Sequence, residues 1–193
     1  MARYEFDEEG SLLCVLVEND ASTLLSRMGH DHVIRATGWH GAVDYVASDV
    51  AASRVSFEVP VKGLRADEAA SRQRVGLTGE VSASDRQKTE ENMLKKSQLF
   101  GERHPTISFV STSCRPGSGS SLLVCGTLSV RGVSKALEVA MDVVLEGTEL
   151  LARGRFSVTH ADFGFSAFSA PLGTLKNKDT IEFVIEARGR AKA

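Results

Sequence analysis

The chain has 193 residues, of which 42% are hydrophobic, 6% aromatic and 25% charged, with a formal net charge of −2. That balance excludes a disordered chain, and no uncharged apolar stretch nears the ~20 residues a membrane helix needs. A sequence pI of about 6.2 lacks the basic excess of a dedicated nucleic-acid binder.

The N-terminus is acidic, with Glu5, Asp7, Glu8 and Glu9 ahead of the apolar run Leu12 to Val17. A secretory signal needs a basic start and roughly 7–15 apolar residues, so a cytoplasmic protein is expected. Ser22 to Gly29 reads as one short helical turn, with a polar cap at Ser22 and Gly29 past its end. Strict alternation begins at Val55, where Val55, Phe57, Val59 and Val61 share one face against Arg54, Ser56, Glu58 and Lys62. Pro60 has no N–H for a ladder and should sit at an edge, a bulge or a strand end. A brief helical turn is expected within Leu64 to Val75. Ser84-Asp85-Arg86-Gln87 has capping-box spacing and opens a helix over Ser84 to Lys96. That helix has few apolar residues, so it should be mostly wet and rest on the sheet near its C-terminal end.

Four further runs alternate. They are Leu122 to Val130, Leu137 to Leu145, Ala152 to His160 and Ile181 to Ala187. Turns at Pro116-Gly117-Ser118-Gly119, Arg131-Gly132 and Glu146-Gly147-Thr148 separate them. One wet and one dry face per strand is the pattern of an antiparallel sheet. The absence of repeats or linkers implies one domain over residues 1–193. A sheet of six or more such strands has an edge problem, which closure into a barrel removes. About eight strands enclose just enough room for side chains or one small ligand. The fold expected is all-β, an eight-stranded antiparallel up-and-down barrel with a short covering helix.

Few residues suggest catalysis. The glycine-rich stretch Arg115 to Ser120 lacks the lysine and strand-to-helix context of a phosphate loop, and reads as a hairpin loop. No GxSxG elbow or Ser-His-acid set stands out, so no catalytic residue is assigned and no enzyme is expected. Cys14, Cys114 and Cys125 are odd in number and form no CxxC pair, which suits buried free thiols. His30 and His32 are two apart, which on a strand puts both on one face. They read either as a hydrogen-bonded turn at a strand start or, with His160, as metal ligands. Phe163, Phe165 and Phe168 follow His160 closely and belong either to the core or to the mouth of an apolar pocket.

Three segments resemble the YceI-like family. They are Leu94 to Phe109 (LKKSQLFGERHPTISF), Gly126 to Lys135 (GTLSVRGVSK) and Asp162-Phe163-Gly164-Phe165. The resemblance spans nearly the whole chain. It implies a lipocalin-like barrel with an elongated apolar cavity for an isoprenoid or other lipid tail, and a homodimer. His160 stands where the family often has Arg, and Gly29-His30-Asp31-His32 resembles a subset of the family.

The expected function is therefore binding, transport or sequestration of an apolar-tailed ligand: an isoprenoid, a quinone or a fatty amphiphile. Each CH₂ leaving water contributes roughly 0.8 kcal/mol. The expected cavity lining is Phe57, Val59, Ile107, Phe109, Leu128, Val130, Val139, Met141, Phe156, Val158, Phe163, Phe165 and Phe168. The expected polar mouth contacts are His32, His160 and Asp162. No resident cofactor is expected beyond a bound isoprenoid or lipid. The alternatives are a metal-binding protein or metal-dependent enzyme using His30, His32 and His160, and a ligand-free structural or interaction barrel with a solid core.

Overall fold

A computed structural model describes residues 1–119 and 121–192. Its strands are β1 (Ala2–Asn19), β2 (His32–Ala36), β3 (His40–Tyr45), β4 (Arg54–Pro60) and β5 (Leu64–Ala66), then β6 (Thr106–Pro116), β7 (Ser121–Val130), β8 (Val133–Glu146), β9 (Glu149–Thr159) and β10 (Asn177–Ala191). Two α-helices, α1 (Ala69–Arg74) and α2 (Ala83–Leu94), lie between β5 and β6. Antiparallel pairing runs β10-β9-β8-β7-β6-β4-β3-β1, and β1 pairs with β10 to close the ring. Eight strands thus make the barrel, while β2 and β5 extend the wall beyond β1.

β1 does two jobs because it is bent. Its register with β10 slips between Asp7 and Leu12, so a bulge divides the strand. Ser11 is buried at this bulge, and its hydroxyl accepts from the Arg188 N–H and donates to the Asp7 carbonyl. The half before the bulge pairs with β3, and the half after it pairs with β2. The second half is the run Leu12 to Val17. Leu13, Val15 and Val17 face the barrel interior, while Leu12 and Cys14 pack outside with Val33 and Val184, beneath Val75 and Leu77. Burial on both faces explains why this strand is continuously apolar rather than alternating.

The hairpins follow the turn chemistry of the sequence. Arg131 and Gly132 both have positive φ (55° and 76°) in the two-residue turn joining β7 to β8, the mirror-image turn that suits strand twist. Ser120, the last residue of the expected hairpin loop, lies outside the described residues. Pro60 ends β4, as its missing N–H requires. Gly63 lets β2 and β5 approach: a Cβ there would lie 2.0 Å from the Thr37 carbonyl oxygen.

The helical segments differ in detail from the sequence expectation. The predicted turn over 22–29 shrinks to a 3₁₀ turn over Ser26–Met28, followed by Gly29. Ser22 caps nothing, because its hydroxyl bonds to Asp20 instead. The cap of α2 is Ser82 rather than Ser84. Ser82 accepts from the Asp85 N–H (3.1 Å) and donates to the Asp85 carboxylate (2.7 Å). Ser82 stands three residues before Asp85, as Ser84 stands three before Gln87, so the observed box lies two positions earlier than the expected one. No residue of α2 is buried. Its Glu90 accepts from the Ala66 N–H (2.9 Å), so the helix covers the outer edge of β5.

Candidate functional site

The barrel interior is hollow. A cavity of about 210 Å³ lies at the end covered by α2, and one of about 100 Å³ lies deeper. Leu13, Phe57 and Ile185 border both and form a waist between them. Two stacked ring pairs stiffen this region: Phe57 on Phe109 (centroids 5.5 Å apart) and Phe156 on Phe183 (4.6 Å). Phe57, Ile107, Phe156, Phe183 and Ile185 line the cavities yet are only half-buried, because they border open space. A solid core would have buried them fully.

Most of the expected lining meets these cavities. Phe57, Val59, Ile107, Val130, Phe163, Phe165 and Phe168 border the larger chamber. Phe109, Val139, Met141 and Phe156 border the smaller one. Leu128 and Val158 do not border either. They are 0% and 3% exposed and fill the wall among Val17, Phe109 and Phe163. Sequence reasoning missed the contributions of β1, β2 and α2: Leu13, Ile34 and Ala36 from the strands, and Thr89, Asn92 and Met93 from the helix. The β1 residues were hidden by the two-faced burial described above. The α2 residues sit on a polar helix with no apolar stripe to mark them.

The polar rim of the larger chamber is His32, Thr89, Asn92, Gln98, His160 and Asn177. His160 is 7% exposed and its Nδ1 lies 2.8 Å from the Asp179 carbonyl oxygen. A carbonyl can only accept, so Nδ1 carries the proton and Nε2 is left as an acceptor. The ring stands edge-on to Phe165 (centroids 5.2 Å). Burial pushes the His160 pKa below the usual imidazole value, which keeps the ring neutral.

Asp162 does not belong to this rim. It accepts from the Thr159 N–H (2.7 Å) and pairs with Lys135 (2.5 Å). The Lys135 ammonium, with the Thr159 bond, holds its carboxyl down to about 2. Its acceptor capacity is committed to the turn after β9, so the expected mouth contact is corrected to a structural one. The same contact belongs to a clasp. Arg131 donates to the carbonyls of Gly164 (2.9 Å) and Lys96 (3.0 Å) and lies over the Phe165 ring. His104 fills the space beside Gly132. The three sequence motifs therefore meet at one end of the barrel, where they tie the segment after α2 to the β7–β8 hairpin and the 160–165 turn.

The histidine pair sits at the edge of the larger chamber, apart from this clasp. His32 Nδ1 lies 2.6 Å from Asp67 Oδ2, and His30 Nε2 lies 3.6 Å from the same oxygen. His160 is not part of this cluster; the third group is Asp67, which no sequence spacing linked to the histidines. Asp67 is 1% exposed and has a positive φ of 50°. Its N–H donates to the Val33 carbonyl, while Oδ1 accepts from the Val33 N–H (3.0 Å) and Arg72 Nη1 (2.8 Å). This reciprocal grip holds the left-handed backbone in place. Arg72, 4% exposed, also donates to the carbonyls of Asp31, Thr78 and Gly79. Burial raises the Asp67 carboxyl, but the bonds from His32, the Val33 N–H and Arg72 outweigh it and leave its pKa below the usual range.

The thiols are free. Cys14 and Cys114 are buried, whereas Cys125 is half-buried beside Glu138. Burial pushes the Cys14 thiol up to about 11, so it stays protonated and unreactive. No helix among the described residues is long and apolar enough to cross a membrane.

Comparison with known proteins places this geometry. A sequence model of the YceI-like domain matches residues 16–187. The crystal structure of Burkholderia cenocepacia BcnA superposes with a TM-score of 0.72 at 13% identity, covering 95% of this chain and 98% of that one. The Campylobacter jejuni YCEI protein superposes with a TM-score of 0.63 at 11% identity, covering 83% of this chain and 85% of that one. A comparison with curated proteins gave no match.

Proposed function

The chain belongs to the YceI-like family, and we propose that its barrel holds the apolar tail of an amphiphile such as an isoprenoid, a quinone or a fatty acid. The observation that carries this reading is the hollow interior: two apolar chambers in series, joined at the waist of Leu13, Phe57 and Ile185. An apolar tail of about ten methylenes leaving water there gains about 8 kcal/mol before the entropic costs of binding. The chambers weigh against the solid-core alternative, which has no use for inward side chains that border space.

Orientation follows from the rim. The deeper chamber presents only apolar surface, so the tail belongs there. The head group belongs beside His160, Asn92, Gln98 and Asn177 at the α2 end. Neutral His160, with Nε2 as an acceptor, suits a hydroxyl or protonated head group. The protein then acts as a carrier or store, with no reaction required of it, and a second copy of the chain is its expected partner.

A polyene fatty acid whose fluorescence rises on leaving water tests the reading. We expect a saturable rise at one probe per chain with micromolar affinity, reversed by competing long-chain isoprenoids. A linear, unsaturable signal would overturn it.

A further inference from the structure

Tail binding makes no use of the His30, His32 and Asp67 cluster. We propose that these three residues form a binding site for a divalent transition-metal ion of the zinc class, at the border of the larger chamber.

The donor set is two imidazole nitrogens and one carboxylate oxygen, which suits a borderline metal with coordination positions left open. His30 Nε2, His32 Nδ1 and Asp67 Oδ2 all lie within 4.8 Å of one another. Ligands about 2.0–2.2 Å from a tetrahedral ion stand about 3.4 Å apart. The 3.6 Å between His30 Nε2 and Asp67 Oδ2 already meets that spacing. The 2.6 Å between His32 Nδ1 and Asp67 Oδ2 is a hydrogen bond, and it must open by less than 1 Å. The ion takes the place of the proton in that hydrogen bond, which leaves to solvent.

A second observation points the same way. His30 Nε2 is buried and has no hydrogen-bond partner among the described residues. Buried polar atoms are rarely left so, and this one faces the Asp67 carboxylate 3.6 Å away, the placement a ligand atom needs. The outer shell is already built. Asp67 Oδ1 is held by the Val33 N–H and Arg72, which fixes the carboxylate and leaves Oδ2 for the ion. The Arg72 charge would oppose a cation, but its one contact with the carboxylate is to Oδ1, and three backbone carbonyls share that guanidinium. The His30 side chain is 37% exposed, which gives the ion a route from solvent. His32 borders the larger chamber, so the ion would sit where a head-group oxygen could become a further ligand.

Zinc alone is the probe. The protein should take up one equivalent near neutral pH, and Co²⁺ should give the visible absorption bands of a tetrahedral N/O site. Losing an outer-shell partner costs about 10–100-fold in affinity, so losing an inner ligand in His30→Ala should cost about 100-fold or more. His30→Gln serves as a second variant, with far-UV circular dichroism confirming that both remain folded. Both keep all three cysteines, so zinc held by a thiol would survive in them. Substoichiometric uptake by the unaltered protein, or unchanged affinity in the two variants, would overturn the proposal. Neither outcome bears on binding of the fatty-acid probe.

Discussion

Arg72→Met is expected to destabilise the fold by about 3–5 kcal/mol, the cost of leaving a buried carboxylate without its cation. Asp67 has no access to water that could take over from the guanidinium. The substitution also frees the carbonyls of Asp31, Thr78 and Gly79, so the connection after α1 loses its anchor. Urea denaturation followed by circular dichroism measures the loss. The sign of its pH dependence is fixed. The folded pKa of Asp67 is lowered, so its contribution is fully present above the unfolded value of about 3.9 and is lost as pH falls through the folded one. The gap between variant and parent should therefore be widest near neutral pH and should narrow in acid, where protonation relieves the unpaired charge. A loss below about 1 kcal/mol, typical of exposed pairs, would contradict the buried-pair account.

Ala36→Trp is expected to weaken binding of the fluorescent fatty acid by roughly 100-fold. Ala36 borders the larger chamber beside Leu13 and Val59, so an indole there enters the space assigned to the tail. Displacing about four methylenes costs about 3 kcal/mol, which is that factor in affinity. The chamber accommodates most of the added volume, so the overpacking cost should stay near the low end of about 1–3 kcal/mol. A thermal melt shows whether the variant folds. A folded variant that binds the probe as tightly as the parent would place the ligand outside the barrel.

The parts of the fold legible in the sequence were those with one wet and one dry face. β4, β7, β8, β9 and β10 alternate cleanly, and the inward phase read from Val55, Phe57 and Val59 is the one observed. β1 was not legible. Its second half is buried on both faces, and its first half pairs with a different strand across a bulge whose one local mark is Gly10. β2 and β5 are too short to show a period. The chamber was visible as a direction, because alternation assigns side chains to an inside. Whether that inside was filled depended on the volume enclosed, which no spacing encodes. Asp67 and Arg72 were missed for a related reason. Their partners are His32 and Val33 across the sheet and three carbonyls in two loops, so nothing local marks them. Asp162 misled in the opposite direction: a carboxylate beside a ring of phenylalanines looked like a mouth contact but serves the turn that carries them.

Native mass spectrometry of the protein purified from a lipid-containing host tests the central claim most directly. The account predicts a mass above that of the bare chain by one tail-bearing molecule, identified after organic extraction and lost in Ala36→Trp. A bare chain mass that stays bare after incubation with long-chain isoprenoids, quinones and fatty acids would contradict it.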